Sequence, residues 1–483
     1  MNRQVRRVGL ALTVMFIALF AIASSIQVVR TESLYQDSRN VRASYETYKT
    51  QRGSILVGQT EIVTSDAVND QYRFLRKYDS VLYSAVAGYF SIFTGSSGIE
   101  RSMNSLLAGQ SSAQFFEQIN ALLDGTPVTG AAVELSLDPE VQRAAWDALG
   151  GRKGAVVALD PTTGRILAMV SKPTFDANLM SGHEYEPVNQ AYRDYLEDPD
   201  KPLVNRAIGG DLYPPGSVFK LIVAAAALES GRYSTTTTFE NLDRYRLPGT
   251  TTTIQNSSGN SCGDGVLVTL EQALVRSCNI PFAMLAVDLG QDRIRAMAEL
   301  MGFGDEIAIP LSVTPSVYPT DLELSQLALT GFGQFDVRVS PLQIAMSTAA
   351  IANQGVIMKP QLIDQVVASN LNVLSQPEPQ VFSSPMSRET AALLTRMMVD
   401  SVGYGAATNA AIPQVAVAGK TGTAENGPDD PYTLWFTGFA PAESPQVVVT
   451  VVVEDGGGIG QNGTGNQIAA PIAKAVMKAA LNR

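Results

Sequence analysis

The sequence predicts an α+β fold in which helices cover an antiparallel sheet, preceded by a membrane-spanning helix and a small mixed domain. Three observations predict it. An uncharged, mostly apolar run occupies residues 8–29. Strand-like segments lie at 154–171 and again at 415–453, and a long, mostly helical section at about 215–400 separates them. Because strands from distant parts of the chain must then meet in one sheet, the helices between them should cover it.

The N-terminal run is long enough to cross a membrane. Its 22 residues, Val8–Val29, reach about 33 Å as a helix. Three arginines precede it, which predicts that residues 1–7 stay in the cytoplasm, that 8–29 form the anchor and that the rest lies outside. A cleaved signal peptide is the alternative, with Ala21 and Ala23 as the small residues of the cleavage site. The run is long for such a peptide, so we expect a retained anchor.

Beyond the anchor the chain is expected to divide in two. Residues 30–130 suggest a non-catalytic domain of short helices and strands, and Gly125–Gly130 has a linker composition. Residues 131–483 suggest the catalytic domain. It should begin with a strand at 131–137 and a helix that Asp138 caps and Pro139 opens, running to about Leu149. A helix at about 469–481 should close it.

Composition excludes several classes of function. The net charge is −11, and the first 30 residues hold four arginines and no acid, so the remainder is more acidic still. An acidic body argues against nucleic-acid binding and against docking on anionic lipid. The single histidine, His183, lies in a loop-like segment. One histidine supports neither a multi-histidine metal site nor a Ser-His-Asp triad, so we expect no metal and no cofactor, and a nucleophilic serine would need a lysine as base.

A candidate nucleophile is Ser217, in the segment Tyr213–Lys220 (YPPGSVFK). The Pro-Pro-Gly turn predicts a helix that begins near Ser217, with Lys220 one turn away on the same face. This helix is apolar nearly all round and should be buried, where a lysine tends to lose its proton. Its N-terminal N–H groups would also face an oxyanion formed at Ser217. Taken alone the pattern is weak, since a helix cap followed by a lysine that reaches solvent looks the same.

Two further motifs strengthen the interpretation. Ser277-Cys278-Asn279 follows a helix-like run at 270–276, and Lys420-Thr-Gly-Thr423 lies in a predicted strand. In this order the three motifs match the Ser-x-x-Lys, Ser-Asp-Asn and Lys-Thr-Gly set of β-lactamases and penicillin-binding proteins.

The chain resembles the class B penicillin-binding proteins, which are monofunctional D,D-transpeptidases with a penicillin-binding and serine β-lactamase-like fold. It is most similar to the penicillin-binding protein A group of actinobacteria, and the likeness spans essentially the whole chain. One position departs from the common pattern, because Cys278 occupies the middle of the second motif. Further segments that carry the resemblance are Arg52–Ile55, Gly98–Glu100, Asn205–Ala207, Gly331–Gln334, Ser340-Pro341 and Trp435–Pro441.

The resemblance implies a catalytic group. Ser217 would be the nucleophile and Lys220 its base, while Ser277 relays a proton together with Lys420 and Asn279 holds the donor peptide. The reaction would acylate Ser217, release D-Ala and pass the acyl group to an amine of a second peptide.

The resemblance also implies a substrate-binding strand. Lys420, Thr421 and Thr423 would bind the terminal carboxylate of D-Ala-D-Ala, and Gly422 would let the peptide backbone approach. The N–H groups of Ser217 and Thr423 would form the oxyanion hole.

Cys262 and Cys278 are the two cysteines of the chain. In an exported protein such a pair is expected to form one disulfide, and two buried free thiols are the alternative. The disulfide would close a loop beside the second motif.

Three rival functions remain: a serine β-lactamase, a D,D-carboxypeptidase and a membrane-anchored β-lactam sensor. No Glu-x-x-Leu-Asn stretch follows the second motif, which disfavours a class A β-lactamase. The class B segments disfavour a carboxypeptidase, and the seven residues before the anchor are too few for a cytoplasmic signalling module. Gly458–Gly463 formally matches Gly-x-Gly-x-x-Gly, but no second strand follows, so we expect a loop.

The expected partners follow from the same resemblance. They are peptidoglycan stem peptides, a lipid-linked precursor, β-lactam antibiotics and the cytoplasmic membrane, with no nucleic acid. Residues 31–130 are too few for a glycosyltransferase domain, so glycan polymerisation should come from a partner. By resemblance that partner is a polytopic SEDS-type glycosyltransferase. The expected localisation is the cell membrane, single-pass, with an extracytoplasmic catalytic domain.

Overall fold

The computed structural model describes residues 3–30, 48–125 and 127–482. It opens with the helix Arg3–Ser24, which continues as a π-helical turn, Ser25–Val29. Within the described ranges, Arg3–Gln27 is the one helix long and apolar enough to cross a membrane, and its side chains are exposed. The apolar N-terminal helix is therefore confirmed, while its retention as a membrane anchor and its topology stay predictions. The part of the predicted mixed region at 31–47 lies outside the described residues.

A six-stranded sheet dominates the region after the anchor. Three of its strands come from residues before 130 and three from residues after it. The predicted domain boundary at residue 130 therefore passes through one sheet, and it stays a prediction. In spatial order the strands are Val373–Ser375, Ile363–Val367, Ala132–Leu135, Ile55–Val57, Thr60–Ala67 and Phe74–Tyr78. Around it lie the hairpin Phe90–Ser91 and Gly95–Ser96 and the helices Ser84–Ala87, Gly98–Ser102, Asn104–Leu107 and Phe115–Asp124.

A buried ion cluster holds this region together. The Glu100 carboxylate, fully buried, accepts from Arg52 Nη2 at 2.7 Å and from Arg76 Nε at 2.5 Å. Burial alone would raise the pKa of Glu100, but the two guanidinium groups bring it below its usual value. The cluster ties the segment around residue 52 to the segment around residue 100, because each supplies one partner of a buried ion pair.

The catalytic region is built on a second, five-stranded sheet. In spatial order its strands are Ala418–Ala424, Thr433–Ala440, Val447–Val453, Gly154–Leu159 and Ile166–Lys172, and every neighbouring pair is antiparallel. The antiparallel sheet predicted from two distant parts of the sequence is confirmed. The strands are β1 (Gly154–Leu159), β2 (Ile166–Lys172), β3 (Ala418–Ala424), β4 (Thr433–Ala440) and β5 (Val447–Val453).

Helices cover both faces of this sheet. The helices Pro139–Leu149 and Ala469–Leu481 share one apolar cluster with β1, β4 and β5, and the helix Pro341–Ala352 packs on the opposite face. The helices used below are α1 (Pro139–Leu149), α2 (Lys220–Glu229), α3 (Leu270–Arg276), α4 (Asn279–Leu289), α5 (Leu324–Thr330), α6 (Pro341–Ala352), α7 (Arg388–Gly403) and α8 (Ala469–Leu481). Asn178–Ser181, Tyr185–Glu197 and Gln291–Leu300 are also helical.

The local signals at the ends of the domain are confirmed. Asp138 caps α1 by accepting from Glu140 N at 3.0 Å and Val141 N at 3.1 Å, and Pro139 is its first residue. The prediction of a mostly helical middle section is wrong for residues 238–269. This stretch forms two small antiparallel strand pairs whose strands are only three residues long, too short to show a period in the sequence. They pair Thr238–Glu240 with Leu267–Thr269 and Arg244–Arg246 with Thr253–Gln255, and a third pair joins Ile357–Met358 to Val381–Ser383.

Candidate active site

Ser217 lies in a tight turn against the edge of the five-stranded sheet. A 3₁₀ turn, Gly216–Phe219, leads into α2, so the predicted helix start near Ser217 is a tighter turn followed by regular helix from Lys220. Gly216 has φ +54°, and a Cβ there would lie 2.9 Å from the carbonyl oxygen of Thr423. Only glycine lets the turn approach β3 this closely. The Trp435 indole also fixes the turn, donating to Pro214 O at 3.0 Å.

Lys220 contacts both Ser217 and the second motif. Its Nζ lies 2.9 Å from Ser217 Oγ, 2.8 Å from Ser277 O and 2.8 Å from Asn279 Oδ1. Complete burial, together with the nearby charge of Lys420, holds the pKa of Lys220 well below its usual value.

The partners of Lys220 decide what its neutral form can do. A neutral amine has two N–H donors and one lone pair. The Ser277 carbonyl and the Asn279 amide oxygen can only accept, so they take both donors. The lone pair is then left for the Ser217 hydroxyl, which is the geometry of a general base beside its nucleophile.

The second motif turns sharply after α3. Ser277 adopts the left-handed conformation, with φ 63° and ψ 37°, which is uncommon for a residue with a side chain. This turn lets Ser277 present its carbonyl to Lys220 and its hydroxyl to Lys420. Asn279 begins α4, where Asn256 Oδ1 accepts its N–H at 2.9 Å, and its own Nδ2 donates to Gln255 O at 3.2 Å.

The two cysteines bond to each other. The predicted Cys262–Cys278 disulfide is confirmed, and both residues are buried. It links the middle of the second motif to the loop that follows Asn256.

Lys420 completes the group from the edge strand β3. Its Nζ donates to Ser277 Oγ at 2.6 Å and to Thr421 O at 2.8 Å. Burial lowers the pKa of Lys420 from 10.5 to about 7. Two buried lysines with lowered pKa values thus contact the same residue, Lys220 at the carbonyl of Ser277 and Lys420 at its hydroxyl, so a proton can pass between Lys420 and the Ser277 hydroxyl.

The remaining strand residues lie beside this group. Thr421 Oγ1 donates to Ala406 O at 3.1 Å, and Thr423 Oγ1 accepts from Gly465 N at 3.3 Å. A Cβ at Gly422 would lie 3.0 Å from Pro215 O. Gly422 therefore permits close contact between the strand and the nucleophile turn, and its predicted role of letting the substrate backbone approach stays a prediction.

The structure thus brings the five predicted catalytic residues into one hydrogen-bonded group. His183 lies elsewhere, in the predicted loop, but its ring is largely covered: Nδ1 lies 2.5 Å from Asp70 Oδ2 and the ring packs on Tyr72. Sequence reasoning missed Asn256 and Trp435. Asn256 had no motif to mark it, and Trp435 stood only within a segment of family resemblance.

Known protein families and relatives match most of the chain. The model of the penicillin-binding protein transpeptidase domain matches residues 154–478. The model of the penicillin-binding protein A dimerisation domain matches residues 52–133. The peptidoglycan D,D-transpeptidase PbpA of Mycolicibacterium smegmatis is 38% identical, and the alignment covers 100% of this chain and 99% of that protein. PbpA of Mycobacterium tuberculosis is 37% identical with the same coverage.

Solved structures show the same likeness in three dimensions. Penicillin-binding protein A from M. tuberculosis, as its ceftriaxone acyl-enzyme complex, superposes with a TM-score of 0.87 at 38% identity, covering 90% of this chain and 100% of that one. Its penicillin G acyl-enzyme complex gives a TM-score of 0.85 at 37% identity, covering 89% and 100%.

Proposed function

Because the chain belongs to the penicillin-binding protein transpeptidase family, we propose that it is a peptidoglycan D,D-transpeptidase that works through an acyl-enzyme at Ser217. The observation that carries the proposal is the environment of Lys220. A fully buried amine whose pKa is lowered, and whose other two partners can only accept, directs its lone pair at the Ser217 hydroxyl. The related protein A structures hold β-lactams as acyl-enzymes, which is the chemistry that this geometry suits.

The acylation step follows from these positions. Lys220 takes the proton of Ser217 as Oγ attacks the carbonyl carbon of the penultimate D-Ala. The negative charge that develops on the carbonyl oxygen is stabilised by the N–H groups of Ser217 and Thr423. The C–N bond then breaks, and the departing D-Ala amine takes a proton through Ser277, which Lys420 supplies in turn. An amine of a second stem peptide then attacks the ester carbon and gives up its proton through Ser277 to Lys420. The C–O bond to Ser217 breaks, Lys220 returns its proton to Ser217 Oγ, and the cross-linked product leaves.

The substrate lies along the free edge of β3 in this proposal. Lys420 and the hydroxyl groups of Thr421 and Thr423 bind the terminal carboxylate, and the strand edge pairs with the extended peptide. Asn279 contacts the donor peptide once substrate displaces part of its present hydrogen bonding.

Slow hydrolysis separates a transpeptidase from a β-lactamase. Among the hydrogen bonds of the described residues, none joins Ser217 or Lys220 to a carboxylate that could activate water. A general base typically contributes a factor of about 10²–10⁴, so the acyl-enzyme should persist until an amine arrives.

The membrane setting belongs to the same proposal. The helix Arg3–Gln27 anchors the protein as a single pass. The three arginines before residue 8 stay in the cytoplasm, so the catalytic region is extracytoplasmic. Glycan chains come from a lipid-linked precursor through a polytopic SEDS-type glycosyltransferase, which the anchor and the N-terminal region contact.

Intact-mass measurement over time tests the proposal. Full-length protein in detergent is mixed with one equivalent of penicillin G, and Ser217→Ala is the matched control. We expect a mass increase equal to the drug that persists for many minutes in the wild type and is absent in Ser217→Ala. An adduct that disappears within seconds while drug is steadily consumed would show a β-lactamase. If the protein hydrolyses D-Ala-D-Ala peptides and an added acceptor amine does not shift the product from the hydrolysed to the cross-linked peptide, the protein is a carboxypeptidase.

A further inference from the structure

The loop Gly331–Gln334 touches all three elements that carry the catalytic motifs. A Cβ at Gly331 would lie 2.3 Å from Phe282 O, in α4, the helix that begins at Asn279. The carbonyl of Gly333 accepts the N–H of Gly216, next to Ser217, at 2.9 Å. Gln334 reaches Glu425, the first residue after β3.

The Gln334 side chain makes the two hydrogen bonds of a neighbouring strand. With the amide oriented by its surroundings, its oxygen accepts from Glu425 N at 3.0 Å and its nitrogen donates to Glu425 O at 3.3 Å. An antiparallel partner residue exchanges this same pair of bonds. The side chain therefore stands in for one residue of an added strand.

The position of Glu425 shows which edge is affected. β3 is an edge strand, paired on one side only, with β4. Alternate residues of a strand present their N–H and C=O to the same side. Gln334 binds the N–H and C=O of Glu425, so these groups point away from β4, towards the free edge. The N–H and C=O groups of Thr423 and Thr421 then point to the same edge. Two contacts agree: Lys420 Nζ reaches Thr421 O at 2.8 Å, and Thr423 O lies against Gly216.

We propose that Gln334 is a positioning residue that acts through Thr423. By holding the backbone of Glu425, it keeps the Thr423 N–H aimed at the same point as the Ser217 N–H, which the Gly333 to Gly216 bond steadies from the other side. The Gln334 side chain also occupies the backbone groups of Glu425, which are the next on this edge, after those of Thr423, with which an added strand could pair. An extended peptide must then pair at Thr423, with its reacting carbonyl at the nucleophile, and cannot shift two residues along the strand. This inference rests on the proposed function.

The size of the effect follows from the sensitivity of such sites to geometry. Removal of one oxyanion donor costs a factor of about 10²–10³ in rate. A misplacement of about 1 Å costs about a hundredfold. Loss of the Gln334 bonds loosens the Thr423 N–H without removing it, so acylation should slow by about ten- to a hundredfold.

Three variants of the full-length protein test this. Gln334→Met keeps side-chain length and volume but removes both bonds, and Gln334→Glu keeps an acceptor for the Glu425 N–H while losing the donor. Gln361→Ala is the matched control: Gln361 is equally half-buried, and its Nε2 donates to the backbone at Ile363 O (3.1 Å) and Pro377 O (3.0 Å), away from Ser217. The second-order rate constant for acylation by penicillin G should fall most in Gln334→Met, less in Gln334→Glu and not at all in Gln361→Ala.

The infrared band of the acyl-ester carbonyl separates positioning from a general structural role. Hydrogen bonds in an oxyanion hole lower its frequency, so the band should move to higher wavenumber in the Gln334→Met adduct. A role in stability alone would lower the melting temperature and leave the band in place. With the D-Ala-D-Ala peptide, kcat should fall more than KM rises.

Two results would overturn the inference. One is wild-type acylation of Gln334→Met with an unshifted band. The other is slower acylation with a lower melting temperature and an unshifted band. If Gln334→Met does not fold, the rate and band of Gln334→Glu decide between the same outcomes. Failure of the proposed function would look different, because the wild type itself would then form no adduct at Ser217.

Discussion

The buried Lys420 should lower the free energy of unfolding of the protein, and the Lys420→Met variant should make this effect measurable. Lys420 is fully buried, and burial lowers its pKa from 10.5 to about 7. One pKa unit corresponds to about 1.36 kcal/mol, so the difference is worth about 5 kcal/mol between the limits of low and high pH.

The sign follows from proton binding. Between pH 7 and 10.5 the unfolded chain keeps the Lys420 proton and the folded protein has lost it. Because the unfolded state then binds one more proton at this group, Lys420 alone should make wild-type stability rise with pH by about 1.4 kcal/mol per unit. Below pH 7 both states are protonated, and above 10.5 both are neutral, so the contribution is flat outside this window. Methionine has no such dependence.

Other consequences of the substitution do not depend on pH. Methionine leaves Ser277 Oγ and Thr421 O without their donor, and an unsatisfied buried group costs about 1–3 kcal/mol. Two such groups offset about 2–6 kcal/mol of the roughly 5 kcal/mol, so the net gain at pH 6, where Lys420 is charged in the wild type, is at most about 3 kcal/mol. Acylation should be lost all the same, because the proton path ends at Ser277.

Denaturant unfolding of both proteins in one detergent, from pH 6 to 10, is the assay. We expect the free energy of unfolding of Lys420→Met, relative to that of the wild type, to fall as pH rises from 7 to 10, so that any gain in stability at pH 6 disappears. Lys478→Met, at an exposed lysine of α8, is the control and should run parallel to wild type. If wild type and Lys420→Met run parallel as well, the Lys420 ammonium is not destabilised by burial, and the argument for neutral lysines in this site is wrong.

Three further predictions concern single contacts. Lys220→Arg should abolish the penicillin adduct in intact-mass spectra, because a guanidinium stays charged and cannot take the Ser217 proton; an adduct at the wild-type rate would show another base. Replacing both Cys262 and Cys278 by serine should lower the free energy of unfolding by about 3 kcal/mol in denaturant titration, and an unchanged value would mean that the loop is held by other contacts. Glu100→Gln should cost about 3–5 kcal/mol, because it leaves two guanidinium groups buried without their carboxylate. A melting temperature equal to wild type would contradict this.

Strong local signals made much of the fold predictable. Asp138 and Pro139 fixed the start of α1, and the turn at 160–164 fixed the hairpin of β1 and β2. The three motifs gave the five residues of the catalytic group, because their chemistry demands those residue types. Their mutual distances could not be predicted, since they depend on how α2, α3 and β3 pack.

Other features had no local signal. The sheet after the anchor takes the strands Ile363–Val367 and Val373–Ser375 from a part of the chain more than 200 residues away. Pairing at that separation cannot be inferred from hydrophobic period alone. Gln334 stood within a segment of family resemblance, but an amide that replaces one residue of a strand has no pattern of its own. Its role appears only when the end of β3 is seen beside it.

The departure at Cys278 is explained by the backbone of the second motif. Ser277 is left-handed and Cys278 extended, with φ −71° and ψ 138°. The side chains of Ser277 and Asn279 reach the two lysines, while Cys278 bonds instead to Cys262. The side chain at the middle position is therefore engaged in the disulfide.

The cysteine at position 278 also stabilises the backbone of the second motif. Asn256 Oδ1 accepts the N–H groups of Asn279 at 2.9 Å and Ile280 at 3.0 Å, and so caps α4. The disulfide ties Cys262, six residues after Asn256, to the residue directly before Asn279. The disulfide thus holds the loop that carries Asn256 close to the start of α4, where Asn256 caps the helix. A family motif can accept a different residue here because its chemistry depends on the two outer side chains and on the turn that aims them.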